Sequence, residues 1–215
     1  MKYGQPYVEY ECTPADLDLI ESAIKNPKFE DGVAFSQQEI RKSRIAWIDD
    51  PALDIVLLRL AKRISLEESG WNVSLRRCDP IQYTEYDEGG KYDWHTDQAP
   101  PSLDHRDGVL KVRKISLTLF LNDPSEYEGG EFDVEIWGPN GSNGGDAYSI
   151  TGNNNFDFDK QFDVKEKNEK GRYVTFKSTK GSAVFFQSDQ WHRVRPVKSG
   201  VRKSLVAWFI GPPYV

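Results

Sequence analysis

Apolar positions recur at helical spacing in two stretches near the start of the chain, and at every second position from about Trp71 onward. The first helical stretch opens on Thr13-Pro14-Ala15-Asp16, lines up Leu17, Ile20 and Ile24, and stops at Asn26-Pro27. Thr13 caps free backbone N–H groups, Pro14 stands where its missing donor costs nothing, and Asp16 favours the positive helix end. The second stretch begins near Pro51 and carries Leu53, Val56, Leu57, Leu60 and Ile64 on one face. Both read as amphipathic helices laid against a sheet.

The alternating region predicts strands at Ile81–Tyr86, Tyr92–Thr96, Arg113–Leu121, Glu131–Ile136, Arg172–Phe176, Ala183–Phe186, Trp191–Pro196 and Ser204–Ile210. Turn signals separate them: Asp87-Glu88-Gly89-Gly90, Asn122-Asp123-Pro124, Glu128-Gly129-Gly130 and Lys198-Ser199-Gly200. Many short strands with little intervening helix predict a mainly β fold with supporting helices, a sandwich or barrel. Residues 1–70 read as a helical support region and 71–211 as the β core of a single domain. Gly and Asn crowd Gly138–Asn155, and a charged run follows at Asp163–Arg172. Residues 138–171 therefore read as an insertion loop, either a tolerated surface excursion or a lid over substrate.

Composition sharpens this picture. Aromatics make up 13% of 215 residues against 38% hydrophobic in total, which suits a core of Trp, Phe and Tyr between sheets. The formal charge is −6, with Lys and Arg dispersed, so the concentrated basic face of a nucleic-acid binder is not expected. Cys12 and Cys78 read as two ordinary thiols in a reducing compartment. The first residues lack the apolar stretch of a signal peptide and no run approaches membrane-spanning length, so a cytoplasmic protein without a membrane partner is expected.

Two distant segments carry chemistry. The first is Tyr92-Asp93-Trp94-His95-Thr96-Asp97; the second is Gln190-Trp191-His192-Arg193-Val194. Residues two apart on a strand share a face, so His95 and Asp97 can offer an imidazole nitrogen and a carboxylate oxygen to one metal. His192 completes a set of two histidines and one carboxylate, which leaves the opposite side of the ion open and suits the ferrous iron of oxygenases. A turn at Pro196 to Gly200 predicts that Arg202 returns on a strand beside His192, where its guanidinium can hold a carboxylate bidentately. Lys203 then points to the other face. Singly, His95 reads as a surface or hydrogen-bonded residue and Arg202 as a solvated edge charge; it is their combination that points to a site.

Over roughly Arg41 to Phe209 the chain resembles the 2-oxoglutarate and iron(II)-dependent dioxygenases, in the prolyl 4-hydroxylase-like branch that includes PKHD-type hydroxylases. The resemblance rests on Arg41 to Trp47, Gln82 to Asp97, Ser116 to Asp123, Tyr127 to Phe132, and His192 through Pro196-Val197 to Gly200 and Arg202. It implies a double-stranded β-helix (jelly-roll) core. It implies His95, Asp97 and His192 as iron ligands and Arg202 as partner of the distal carboxylate of 2-oxoglutarate, with Tyr86 and Thr118 as further co-substrate contacts. Fe(II), 2-oxoglutarate and dioxygen are the implied cofactors, with ascorbate as a reductant. The presence of Asp97 implies hydroxylation, since halogenating relatives lack that carboxylate.

The implied substrate is a peptidyl proline in a peptide or protein, in the manner of procollagen-proline dioxygenases, with Trp94, Tyr92 and Trp208 as candidate substrate contacts. Trp94 stands where collagen-type enzymes carry proline, and the insertion is longer than the compact PKHD pattern. His105, in the Pro100–Gly108 loop, falls outside the ligand set. Three readings stay open at this stage: a prolyl hydroxylase, the same chemistry on a small metabolite, free amino acid or nucleobase, and a non-enzymatic β-sandwich binding module.

Overall fold

Strand pairing in the computed structural model, which describes residues 6–32, 40–135 and 173–214, is antiparallel throughout. In chain order come β1 (Tyr7–Glu11), α1 (Pro14–Ala23), β2 (Glu30–Asp31), β3 (Arg41–Lys42), β4 (Arg44–Ile48) and α2 (Pro51–Arg63), which runs into a π-helical turn (Ile64–Glu68). There follow β5 (Arg77–Cys78), β6 (Ile81–Tyr86), β7 (Lys91–His95), β8 (Ser102–Leu103), β9 (Leu110–Phe120), β10 (Tyr127–Gly129) and β11 (Phe132–Glu135). The last are β12 (Tyr173–Phe176), β13 (Ser182–Gln187), β14 (His192–Val194), β15 (Val197–Gly200) and β16 (Arg202–Gly211). The expected insertion at residues 138–171 lies outside the described residues.

Two sheets face each other as a jelly roll, the double-stranded β-helix. The larger runs β1-β13-β9-β16-β6-β4-β2, with β5 and β8 on its margins; the smaller runs β12-β11-β14-β7-β3. Both helices start as their sequences dictate. Thr13 and Asp16 form a reciprocal capping box, and Asp50 accepts from the N–H groups of Ala52 and Leu53 ahead of α2. The support region is not purely helical, however. Residues 1–70 also supply β1 to β4, because β1 pairs with β13 and β4 with β6, extending the large sheet at both edges.

Period-two alternation divides the large sheet between two cores. Ile81, Tyr83, Ile115, Leu117, Leu119, Leu205, Ala207 and Phe209 pack toward Leu53, Leu57, Ala61 and Ile64 of the helical layer. The intervening residues look the other way, where Tyr86, Phe120 and Phe186 meet Phe132, Val134 and Val194 of the small sheet. Burying a Phe or Leu side chain contributes about 1.5–3 kcal/mol, so both faces of the large sheet hold the fold together. The inter-sheet layer also contains polar side chains, and these form the site. Cys12 and Cys78 are free thiols, as expected.

Candidate active site

The end of β7 supplies His95, but the strand stops there, so Asp97 reaches the site from the bend that follows. The expected strand through Thr96 is therefore one residue too long. Asp97 is placed by its backbone instead: its N–H and that of Gln98 both donate to the Ser188 carbonyl, at 2.9 and 2.8 Å. His192 opens β14 as the cross-strand partner of His95. The ligand atoms of the three side chains all lie within 4.8 Å of one another. Asp97 Oδ1 is 3.8 Å from His95 Nε2, and Oδ2 is 3.3 Å from His192 Nε2.

The surroundings prepare these groups for a cation. His95 Nδ1 lies 2.7 Å from the Asp93 carbonyl and His192 Nδ1 2.9 Å from that of Gln190. Each ring thus donates Nδ1–H to a carbonyl and presents the Nε2 lone pair inward. Burial and the neighbouring His192, against the opposing pull of Asp97, bring His95 down to about 3. It is neutral at ordinary pH and free to ligate. Burial works to raise the Asp97 carboxyl, yet His192, His95 and Arg113 hold it well below the usual carboxylate range. Ser116 Oγ donates to Asp97 Oδ2 at 2.7 Å and contacts Ser188 Oγ at 2.9 Å, which fixes the carboxylate.

Arg202 is not on a strand beside His192. The chain crosses between sheets after β14, with β15 pairing to β10, and Arg202 starts β16 opposite Tyr86 of β6. The turn reading failed because β15 takes up Val197–Gly200 as a ribbon strand. Arg202 and His192 nonetheless line one cavity of about 180 Å³. Arg202 is fully buried, and of its guanidinium only Nη1 is satisfied, donating to Ser204 Oγ at 2.9 Å. Its Nε and Nη2 have no hydrogen-bond partner. Tyr86 and Phe120 rings lie 5.5 and 5.2 Å from its Cζ. Burial lowers the guanidinium from its ordinary value, with Tyr86 and Tyr127 opposing. A buried cation with unmet donors is a receptor for an anion, and a planar fork suits a carboxylate. The donor set therefore fits a divalent metal at one end of the cavity and a carboxylate at the other.

Gly130 makes room behind this arginine. Its φ is +65°, and a Cβ there would lie 3.1 Å from Arg202 Cδ and 3.2 Å from the Tyr127 ring. Lys203 pairs with Glu85 and, as expected, points away from Arg202.

Tyr86, Thr118, Tyr92 and Trp208 all line the same cavity. Trp94 does not: it packs edge-on to Tyr173, 5.8 Å between centroids, with the Arg193 guanidinium 4.7 Å from its ring. Trp94, next to His95, takes the opposite face by ordinary alternation, while one bulged step in β7 puts Tyr92 and His95, three residues apart, together on the cavity side. His105 is exposed and remote from the cluster.

The sequence reading missed Arg113, Arg41 and Trp47, which border the cavity beside Trp208. Arg113 stacks on Trp208 at 4.0 Å, and Arg41 lies over Tyr92 at 4.6 Å. Regular alternation along β9 would aim Arg113 at the helices; a bulge between Phe209 and Ile210 pairings re-aims it.

The family model of the 2OG-Fe(II) oxygenase superfamily matches residues 81–210. A PKHD-type hydroxylase of Synechococcus elongatus is 26% identical over 202 residues, covering 90% of this chain and 73% of its own length. The crystal structure of a Pseudomonas putida prolyl-4-hydroxylase superposes with a TM-score of 0.59 at 19% identity, over 95% of this chain and 92% of that one. A viral collagen prolyl hydroxylase from Paramecium bursaria Chlorella virus-1, in its 2OG complex, gives 0.55 at 18% identity over 96% and 97%. No helix among the described residues is long and apolar enough to cross a membrane. The matched segment contains the histidine pair, the aspartate and the buried arginine, and the chain belongs to the 2OG-Fe(II) oxygenase superfamily, which works with Fe(II), 2-oxoglutarate and dioxygen.

Proposed function

We propose that this protein is a hydroxylase of proline within an extended peptide, with His95, Asp97 and His192 holding Fe(II) and Arg202 holding the distal carboxylate of 2-oxoglutarate. The observation that carries the co-substrate assignment is the fully buried Arg202 guanidinium with two unmet N–H groups, in the same cavity as the His–Asp–His cluster. A short dicarboxylate between them satisfies both ends. When bound, the iron and 2-oxoglutarate supply oxidative decarboxylation, which divides dioxygen between succinate and a substrate C–H bond.

The chain's own residues do the rest. Ser116 and the carbonyls of Asp93 and Gln190 orient the three ligands. Phe120, Phe132 and Phe186 wall the interior and keep water from it. Tyr86 and Thr118 flank the co-substrate, and Tyr92 and Trp208 receive the substrate.

The proline assignment is supported by the likeness to PKHD-type and prolyl hydroxylases and by the aromatic surfaces at Tyr92, Trp208 and half-exposed Trp47, which suit a flat, apolar ring. Family membership favours an oxygenase over a mere binding module. The test is anaerobic loading with Fe(II) and 2-oxoglutarate, then oxygen with a library of proline peptides and mass spectrometry. A gain of one oxygen on proline is expected. Oxidation of a small molecule or oligonucleotide, with no peptide oxidised, would replace the substrate and leave the oxygenase chemistry in place.

A further inference from the structure

A second cavity, of about 410 Å³, adjoins the first, and Tyr92, Asp97 and Arg113 stand in the walls of both. Beyond them its lining includes Lys111, Asp79 and Ser102. Lys111 Nζ and Arg113 Nε reach the same carboxylate, Asp79, at 2.6 and 3.0 Å. Asp79 is shared between these two cations, and the other carboxylate of the lining, Asp97, is turned to the histidine pair. Cations outnumber carboxylates in the surrounding ion pairs. Among the described residues, Arg76, Arg77, Arg106, Lys111 and Arg113 share Asp79, Asp104 and Asp107, five cations on three carboxylates.

This stands against a chain of formal charge −6. The side chains of Lys111 and Arg113 are 18% and 30% exposed, accessible yet partly desolvated, the setting in which a charge-assisted hydrogen bond is strong. Lys111 and Arg113 supply no ligand atom to the metal cluster, and Lys111 stands apart from the cavity that holds Arg202. Arg113 is held in place from two sides, by Asp79 and by its stacking on Trp208. It sits at the junction, so a chain leaving the first cavity past Tyr92 passes it directly.

We infer that the second cavity is a substrate subsite for a carboxylate: the enzyme takes an extended peptide with an acidic side chain close to the residue delivered to the metal cluster. This rests on the peptide reading above and narrows it. Lys111 and Arg113 bind the acidic group, and Asp79 holds the two cations apart and in place.

The test measures binding, with the full chain loaded anaerobically with Fe(II) and 2-oxoglutarate so that nothing turns over. Labelled peptides carry a central proline and one Glu, Gln or Lys scanned through the flanking positions; a matching set has alanine for proline. At one flanking position Glu should bind about tenfold more tightly than Gln, with Lys weakest. Lys111→Gln should erase that preference, Lys111→Glu should transfer it to the Lys peptide, and Lys111→Arg should keep it. Equal binding of Glu and Gln peptides at every position, or a preference that survives Lys111→Glu, would overturn the inference. The two readings fail separately. Acid preference in the alanine set upholds the subsite even where no proline is oxidised, whereas oxidised proline without acid preference removes the subsite alone.

Discussion

The Tyr92 ring lies flat on the His95 imidazole, with centroids 3.5 Å apart and planes within 13°. In a regular strand, residues three apart face opposite sides. Here β7 spends three residues where β14 spends two, as His192 pairs with His95 and Val194 with Tyr92. The extra residue brings both rings to the cavity. The His192 ring also touches His95, tilted by 55° with its centroid 4.1 Å away.

Tyr92→Ala should weaken metal binding by about three- to tenfold, the equivalent of the roughly 0.5–1.5 kcal/mol of an aromatic pair. Tyr92→Phe keeps the stack and should bind metal as the parent does. Titration with Co(II), followed by its visible absorption, separates the two variants. Equal loss in both would shift the role from the ring to the hydroxyl.

The three candidate ligands and their support should differ in degree. His95→Ala, Asp97→Ala and His192→Ala are each expected to abolish 2-oxoglutarate turnover while leaving the far-ultraviolet circular dichroism unchanged. Ser116→Ala removes the 2.7 Å hydrogen bond to Asp97 and should cost about 10–100-fold in metal affinity, the usual range for a residue that orients a ligand. His105→Ala, at an exposed loop position, should leave turnover near the parent level.

What was legible in the sequence follows a physical division. Regular alternation betrayed the long strands, and capping chemistry betrayed both helix starts, because each is a local rule written in adjacent residues. The residue types of the site were legible too, since few side chains ligate iron and this chain has three histidines. The strands β1 and β4 were not, because Tyr7–Glu11 and Arg44–Ile48 gain their strand character from partners more than thirty residues away. Trp94 adjoins His95 and so takes the opposite face, whereas Tyr92 and Arg113 both reach the cavity through bulges. A bulge inserts one residue, flips every later side chain to the other face, and leaves no mark in a periodic pattern. Arg202 was recognised for its chemistry but put on the wrong sheet, as nothing local says that a strand will cross over.

Acid should loosen the Ser102–Val109 hairpin through Asp104. This residue is 2% exposed and pairs with Arg106 at 3.0 Å and Arg77 at 3.3 Å. The Arg106 hydrogen bond, against burial, lowers its carboxyl from 3.8 to about 2. A folded value below the unfolded one means that the contribution is complete above pH 3.8 and is lost as pH falls through 2. The loss amounts to about 2 kcal/mol. Urea unfolding at stepped pH should show this slope in the parent and a shallower one in Asp104→Asn, which should also be less stable at neutral pH. Superimposed profiles would place the acid sensitivity elsewhere.

Arg202 should set stability against function. Its guanidinium is wholly buried, carries no neutralising carboxylate among the described residues, and leaves Nε and Nη2 unsatisfied. Such a group destabilises the fold until an anion arrives, because a buried charge without a partner carries its desolvation cost uncompensated. Arg202→Met should therefore melt higher than the parent without 2-oxoglutarate. It should also lose the stabilisation that 2-oxoglutarate gives the parent, and turnover should need far higher co-substrate concentrations. Lys203→Ala, on the opposite face of β16 and paired across to Glu85, should change neither property much. Thermal melts of the three proteins with and without 2-oxoglutarate read both effects in one experiment. An Arg202→Met protein that melts lower than the parent without co-substrate would mean that the guanidinium is satisfied by the fold itself, and that its open N–H groups are not waiting for a ligand.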